Sequence, residues 1–285
     1  MQLSDLHKFQ KTQQHTMQYD PIKRSLGGVF NQTPFLRKIF YKLLDLLLLR
    51  TWHVHKELNA WMVLNPNKTE VFDAGSGYGQ YSYYLANLNP KFNIVAVDVK
   101  EEQIADCNQF FAQAGKTNVK FEVGDLTQYN KPNAFDLALS VDVMEHILED
   151  VAVFKNIYTS LRSGGMLLIS TPSDQGGSDV HEGEEGSFIE EHVRDGYAIT
   201  DIEAKLKLAG FTNIVSRYAY GKFGTIAWRM SMKWPIQLLG VSKLFFVLVP
   251  FYYLVTYPIC YVLNYLDTNN DNPTGTGLIV RAYKG

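Results

Sequence analysis

The chain has 285 residues, 46% hydrophobic and 20% charged, enough to bury one large core plus an appendage and to exclude disorder as its general state. Its formal net charge of -2 gives no reason to expect a nucleic-acid partner. Cys107 and Cys260 stand without CxxC spacing, which argues against a disulfide framework or zinc site and fits a reducing compartment.

The opening residues, "MQLSDLHKFQKTQQHTMQYDP", lack the apolar run of a secretion signal, so secretion is not expected. Residues 35–58, "FLRKIFYKLLDLLLLRTWHVHKEL", set Arg37, Lys38, Lys42 and Arg50 beside a leucine-rich face. A membrane contact, a lid over a ligand and a dimer contact all fit that pattern. His53 and His55 are out of phase on a helix, which disfavours a shared metal.

From residue 70 short apolar runs alternate with amphipathic segments, the pattern of a parallel sheet covered by helices on both faces. Strands are expected at 70–75, 93–99, 119–125, 135–141 and 165–171, then a helix "ITDIEAKLKLAGF" stopped by Gly210 and a strand at 212–220. A last strand, 277–284, follows a long apolar insertion. The expected division is an N-terminal helical segment (1–66), a core (67–221), the insertion (222–274) and the final strand (275–285).

The first strand ends in "FDAGSGYGQ" (72–80) and opens a helix, with Asp98 closing the next strand. Such a turn brings a ligand close to the backbone and places Asp98 for a ribose diol. A dinucleotide fingerprint would want glycine at Gln80, and Asp73 would repel a pyrophosphate. The same carboxylate suits the ammonium of a ligand without phosphate, such as S-adenosylmethionine.

"DAGSGYG" with Asp98, "GDL" (124–126) and "FDLALSVDVMEHI" leading to "LRSGGMLLISTPS" resemble the class I S-adenosylmethionine-dependent methyltransferases over roughly 70–220 plus the final strand. The resemblance implies a Rossmann-like, doubly wound α/β sheet of seven strands whose last strand is antiparallel. It implies that Gly75, Gly77 and Gly79 pass under the methionine part, that Asp98 holds the ribose hydroxyls and that Asp125 with Leu126 meets the adenine. Tyr78, Val99 and Ser140 are assigned to the same cofactor site.

In "VDVMEHILED" (141–150) two readings stand open. Asp142 and Glu145 can form a helix capping box, with His146 packed beside the cofactor. Alternatively Asp142, Glu145 and His146, at i, i+3 and i+4 of one helical face, hold a divalent cation such as Mg, or His146 acts as the base. The segment is similar to the acidic-x-x-Glu-His run of ubiquinone-biosynthesis O-methyltransferases, with Asp where those usually have Glu. The polar stretch 171–200 reads as a substrate loop or lid, with His181 and His192 as candidate bases and Arg194 and Tyr197 as candidate acceptor contacts.

Residues 244–266, "LFFVLVPFYYLVTYPICYVLNYL", contain no charged side chain, and no Asp or Glu occurs from Ala204 to Leu266. If the strands at 212–220 and 277–284 belong to one sheet, both ends of the insertion emerge on the same side of a bilayer and a single crossing is excluded. Pro250 and Pro258 are expected to divide the run into pieces too short to span alone. The pattern suggests a monotopic platform on an anionic membrane surface, with a membrane-spanning hairpin as the rival. The expected protein is a cytoplasmic enzyme associated peripherally with the inner face of a membrane. It would methylate a hydroxyl of an apolar acceptor. A nicotinamide-dependent dehydrogenase and a noncatalytic membrane adaptor remain the alternatives.

Overall fold

The computed structural model describes residues 33–176, 193–241 and 245–285. Helix α1 (Pro34–Leu47) starts where Pro34 supplies a fixed φ and the Thr33 hydroxyl accepts from Leu36 N at 3.3 Å. Helix α2 (Leu49–Leu64) follows at once. The sheet and its helices then alternate: β1 (Glu70–Ala74), α3 (Gln80–Leu88), β2 (Asn93–Asp98), α4 (Glu101–Gln113), β3 (Val119–Val123), β4 (Phe135–Val141), α5 (Asp150–Ser160), β5 (Leu161–Pro172), α6 (Ile199–Ala209) and β6 (Thr212–Ala219). The chain continues through α7 (Lys222–Trp228), a π-helical turn (Arg229–Lys233), α8 (Trp234–Val241) and α9 (Phe245–Asn269) before β7 (Gly277–Tyr283).

All seven strands form one sheet in the order β3-β2-β1-β4-β5-β7-β6, with β7 antiparallel to both neighbours. This is the doubly wound sheet with an antiparallel last strand expected above. Its central strands are apolar on both faces because helices cover both: Phe72, Leu137, Leu139, Leu167 and Leu168 are each 0% exposed. Val54, Leu58 and Trp61 of α2 pack on one face, and Phe154, Ile157, Ile202 and Leu206 of α5 and α6 on the other. Gly210 ends α6 at φ +105°, as its place in the sequence suggests.

The insertion corrects one expectation. Pro250 and Pro258 lie inside a single continuous helix, α9, rather than dividing the run. Each proline forfeits a backbone hydrogen bond, but contacts with α7 and the π-helical turn hold α9 across the gaps. Tyr252 and Tyr253 hydroxyls donate to the Met230 and Ser231 carbonyls at 2.7 and 2.6 Å, and Cys260 Sγ lies 3.8 Å from the Ala227 carbonyl. The pairing order is antiparallel, so α7 to α9 make a helical hairpin. Its root is bound to the core: Asp267 is fully buried and accepts from His53 Nε2, Tyr220 N and Gly224 N. The insertion therefore shares its base with the sheet.

The hairpin is inside out for water. Cys260, Asn264, Asp267 and Thr268 of α9 are buried, whereas Val247, Phe251, Leu254, Val255 and Val262 are 55–76% exposed. The most apolar window within Val247–Asn269 has a mean hydropathy of 1.4 and is 11% buried. By length and composition it can cross a membrane.

Candidate functional site

The carboxyl ends of β1, β2 and β4 meet at the glycine turn. Gly75, Gly77 and Gly79 have φ of +86°, +49° and +75°, a left-handed run that glycine adopts without strain. A Cβ at Gly75 would meet Val143 Cγ2 at 2.3 Å, so this glycine is wedged against the segment after β4. At Gly77 a Cβ would meet nothing within 4 Å. One side of the turn is packed and the other is open to a ligand.

Asp98 fixes the turn by accepting from Gly77 N at 2.8 Å with one oxygen and from Lys100 N at 3.0 Å with the other. It remains partly exposed, with acceptor capacity for a diol. Val99 and Val123, 53% and 51% exposed, give an apolar edge at the ends of β2 and β3 suited to a purine face. Asp125 is exposed and accepts from Thr127 N and Oγ1 at 2.8 Å, while Leu126 is buried in the core beneath it. The Oγ atoms of Ser76 and Ser140 are buried without a hydrogen-bond partner among the described residues, at the ends of β1 and β4. Open glycine backbone, orphaned hydroxyls and a free-edged carboxylate fit an S-adenosylmethionine lying across the turn. Asp73 stands under the turn, 3% exposed, and accepts from Ser82 Oγ at 2.6 Å. Burial pushes its carboxyl up to about 6.

Tyr78 contributes through its backbone. Its carbonyl accepts from Arg37 Nη2 at 2.9 Å and from the Tyr41 hydroxyl, both on α1. Arg37 is 2% exposed and also pairs with Asp106. The basic flank expected on 35–58 is thus divided: Arg37 is drawn inward by fixed acceptors to brace the turn, and Arg50 is ion-paired with Asp142. Both guanidinium groups therefore have carboxylate partners. Sequence reading missed this brace because a buried arginine and a surface arginine share the same helical phase.

The segment after β4 corrects two further expectations. Residues Met144–His146 form a 3₁₀ turn, not the first turn of an α-helix, and neither Asp142 nor Glu145 caps it. Asp142 has φ +51° and turns toward Arg50. Glu145 turns inward, 1% exposed, and accepts from Thr171 Oγ1 at 3.0 Å, while His146 is exposed. The three side chains therefore diverge. Among the described residues no group of three His, Cys, Asp or Glu is placed to hold a metal ion. Burial, reinforced by the Asp142 charge, pushes the Glu145 carboxyl up to about 8.

Arg194 and Tyr197, expected at the acceptor, instead clamp the chain to α5. Tyr197 is fully buried and donates to Asp150 Oδ2 at 2.7 Å; Arg194 pairs with Asp150 and donates to the Ile147 carbonyl at 2.7 Å. Lys205 reaches the same carboxylate at 2.9 Å, and this threefold donation holds the Asp150 carboxyl below its ordinary range against the opposing effect of burial. His181 and His192 lie outside the described residues.

Beside Ser140 the sheet edge opens into a cavity of about 470 Å³. Asp142, Thr171 and Pro172 line its sheet side, Arg50 enters from α2, and Trp228 and Arg229 of the hairpin root form the opposite wall. Burial is the largest single effect and opposes the Arg50 charge, yet Asp142 together with Tyr81, Tyr220 and Glu145 outweighs it, so the net effect raises the Arg50 pKa and the cation is fixed. The cavity combines an apolar wall with two cations, Arg50 and Arg229, and two carboxylates, Asp142 and Asp195. Such a site can seat an acceptor whose hydroxyl or amine loses a proton.

Residues 65–207 match the sequence profile of a family described as a methyltransferase domain. Phosphoethanolamine N-methyltransferase 1 of Arabidopsis thaliana is 32% identical over 174 residues, covering 56% of this chain and 32% of that protein. Malonyl-[acyl-carrier protein] O-methyltransferase 2 of Ilyobacter polytropus is 25% identical over 119 residues, covering 42% of this chain and 45% of that one. This chain thus spans about a third of the plant relative's length. Among solved structures, Haemonchus contortus phosphoethanolamine N-methyltransferase 2 in complex with S-adenosyl-L-methionine superposes with a TM-score of 0.58 at 21% identity, covering 81% of this chain and 52% of that one. That likeness concerns the fold.

Proposed function

The chain belongs to the methyltransferase-domain family, and from that premise we propose that it transfers the methyl group of S-adenosylmethionine to a hydroxyl of an apolar, lipid-like acceptor at a membrane surface. The observation that carries the reading is the inside-out hairpin whose root walls the cavity: Trp228 and Arg229 line it, and the exposed apolar face of α9 belongs to the same hairpin. A water-facing helix would expose Asn264 and Asp267 and bury Phe251 and Leu254. Here the reverse holds, which suits acyl chains as the surrounding solvent. The leaflet facing the cytoplasm is the expected one, since Lys222, Arg229 and Lys233 sit on the hairpin without a neighbouring carboxylate in sequence.

When bound, S-adenosylmethionine supplies an electrophilic methyl on a sulfonium. The glycine turn and Asp98 would hold it, and the cavity wall aligns the acceptor oxygen and excludes water. Asp142, one of two carboxylates lining the cavity, is assigned to take the hydroxyl proton, and Arg50 beside it stabilises the oxygen as negative charge develops. A second reading, an amine acceptor as in the names of the plant and nematode relatives, draws on Asp142 and Asp195, two carboxylates in the same cavity lining. Incubation of the purified chain with S-adenosylmethionine and vesicles of a lipid extract tests the proposal. Formation of S-adenosylhomocysteine that rises with vesicle lipid supports it; turnover only with a water-soluble amine would select the second reading.

A further inference from the structure

Asp267 is a fully buried carboxylate at the foot of a helix whose outer face is apolar. We propose that Asp267 and Tyr220 are positioning residues of the acceptor cavity, which tie the seating of the hairpin to the placement of Arg50. The inference rests on the reading of that cavity as the acceptor site and adds how its cation is held.

A backbone outlier points there. Tyr220, the residue after β6, has φ +57°, a left-handed conformation that a bulky side chain keeps only where its surroundings enforce it. Its N–H donates to Asp267 Oδ1 at 3.1 Å, and its carbonyl accepts from Thr225 Oγ1 at 3.2 Å and Thr276 N at 3.3 Å. Its hydroxyl accepts from Arg50 N at 2.9 Å. Arg50 lies in the first turn of α2, where a backbone N–H has no carbonyl of its own helix to donate to, and Leu48 before it supplies no capping side chain. The Tyr220 hydroxyl fills that role. The Arg50 guanidinium then reaches Asp142, and Tyr220, Arg50 and Asp142 all line the cavity.

Asp267 is itself held from the core side. Its Oδ1 also accepts from His53 Nε2 at 2.9 Å, and its Oδ2 accepts from Gly224 N at 2.9 Å. Arg217 Nη1 lies 2.8 Å from His53 Nδ1. A guanidinium only donates, so Nδ1 accepts, and the ring is neutral with its proton on Nε2 facing Asp267. Burial lowers the His53 pKa, with Arg217 acting in the same direction against the pull of Asp267, and this keeps the ring neutral. Arg217 of β6 and Arg281 of β7 both pair with Glu57 of α2, at 3.0 and 3.3 Å. Gly224 admits the close approach of α7, since a Cβ there would stand 2.7 Å from Asp267 Cγ and 2.5 Å from Leu49 Cδ2. One carboxylate therefore joins α9, α7, α2 and the strained residue of the cavity. Movement of α9 at its foot releases Tyr220 N, and through the Tyr220 hydroxyl it frees the first turn of α2 and Arg50.

The test reads Arg50 directly in the full chain labelled with 15N-arginine. The Nε–Hε signals of Arg50 and Arg37 are assigned with Arg50→Lys and Arg37→Lys, and Arg37, buried on α1, serves as the internal reference. Asp267→Asn and Tyr220→Phe should each shift or broaden the Arg50 signal and leave that of Arg37 as in wild type. Tyr220→Phe removes one oxygen and keeps the ring, so it remains informative if Asp267→Asn fails to fold. In lipid turnover Tyr220→Phe should lower kcat roughly tenfold, the scale of one hydrogen bond, with KM for S-adenosylmethionine unchanged. Both arginine signals moving together, an unmoved Arg50 signal in Tyr220→Phe, or an unchanged kcat in that variant would overturn the proposal. A wild type that methylates no lipid would overturn the acceptor reading alone, because the Arg50 signal is read without turnover and still decides whether Asp267 and Tyr220 hold that side chain.

Discussion

Gly75 and Gly77 lie two residues apart in one turn, yet alanine at each should fail for a different reason. At Gly75 the added methyl would stand 2.3 Å from Val143 Cγ2 and 2.7 Å from Cγ1 on a backbone at φ +86°. Left-handed strain costs about 1–2 kcal/mol, and forcing a methyl into packed side chains costs about 1–3 kcal/mol more. The sum, roughly 2–5 kcal/mol, corresponds to a Tm lowered by about 4–20 °C at the usual 2–4 °C per kcal/mol for a large domain. At Gly77 the methyl meets no protein atom within 4 Å, so only the strain of about 1–2 kcal/mol remains, and Tm should fall by a few degrees. The same methyl projects into the space assigned to the cofactor, and affinity for S-adenosylhomocysteine should fall tenfold or more. Differential scanning fluorimetry and calorimetric titration read the two effects separately, and Gly75→Ala combined with Val143→Ala should recover part of the lost Tm. The reasoning is refuted if Gly77→Ala binds as wild type does, or if Gly75→Ala melts no lower than Gly77→Ala.

Asp98→Ala should weaken S-adenosylmethionine binding by about 1.5–3 kcal/mol, the scale of hydrogen bonds to a charged group; unchanged affinity in calorimetry would remove Asp98 from the site. Glu145 has a folded pKa near 8 against an ordinary 4.5, so folding takes up a proton between these values and stability falls as pH rises through that window. Urea titrations from about pH 5.5 to 7.5 should show wild type losing roughly 2–3 kcal/mol relative to Glu145→Gln, at about 1.4 kcal/mol per pH unit; parallel pH profiles would mean that Glu145 is ionised or metal-bound in the folded chain. Replacing the outer part of the hairpin, residues 235–251, by a short turn keeps Asp267 and the cavity wall of Trp228 and Arg229, and should weaken vesicle binding and lipid turnover together while β6 and β7 still pair. Loss of cofactor binding in that variant would make α9 part of the core.

The strands were legible because the central ones are covered on both faces and must be apolar throughout, and Gly75–Gly79 with Asp98 were legible because close backbone approach admits few alternatives. The hairpin was half legible. Its composition announced an apolar solvent, but Pro250 and Pro258 suggested breaks that contacts made by Tyr252, Tyr253 and Cys260 with α7 and the π-helical turn bridge across 22 to 33 residues of sequence. Charged partners were the least legible. Arg37 finds Asp106, Arg50 finds Asp142 and Arg194 finds Asp150, each across more than forty positions, and helical phase alone cannot tell a braced arginine from a solvated one. The 141–150 cluster misled for a local reason: the i, i+3, i+4 rule holds on an α-helix, and the chain makes a 3₁₀ turn there.

The central claim, that an apolar acceptor presented by a membrane receives the methyl group, is tested most directly by S-adenosylmethionine carrying a deuterated methyl. After incubation with vesicles of a lipid extract, mass spectrometry of the separated lipid and aqueous phases locates the label. The account predicts a deuteromethyl ether in the lipid phase, formed by wild type and diminished with the shortened-hairpin variant. Label found only in the aqueous phase, on an amine, or formed equally well by that variant, would contradict it.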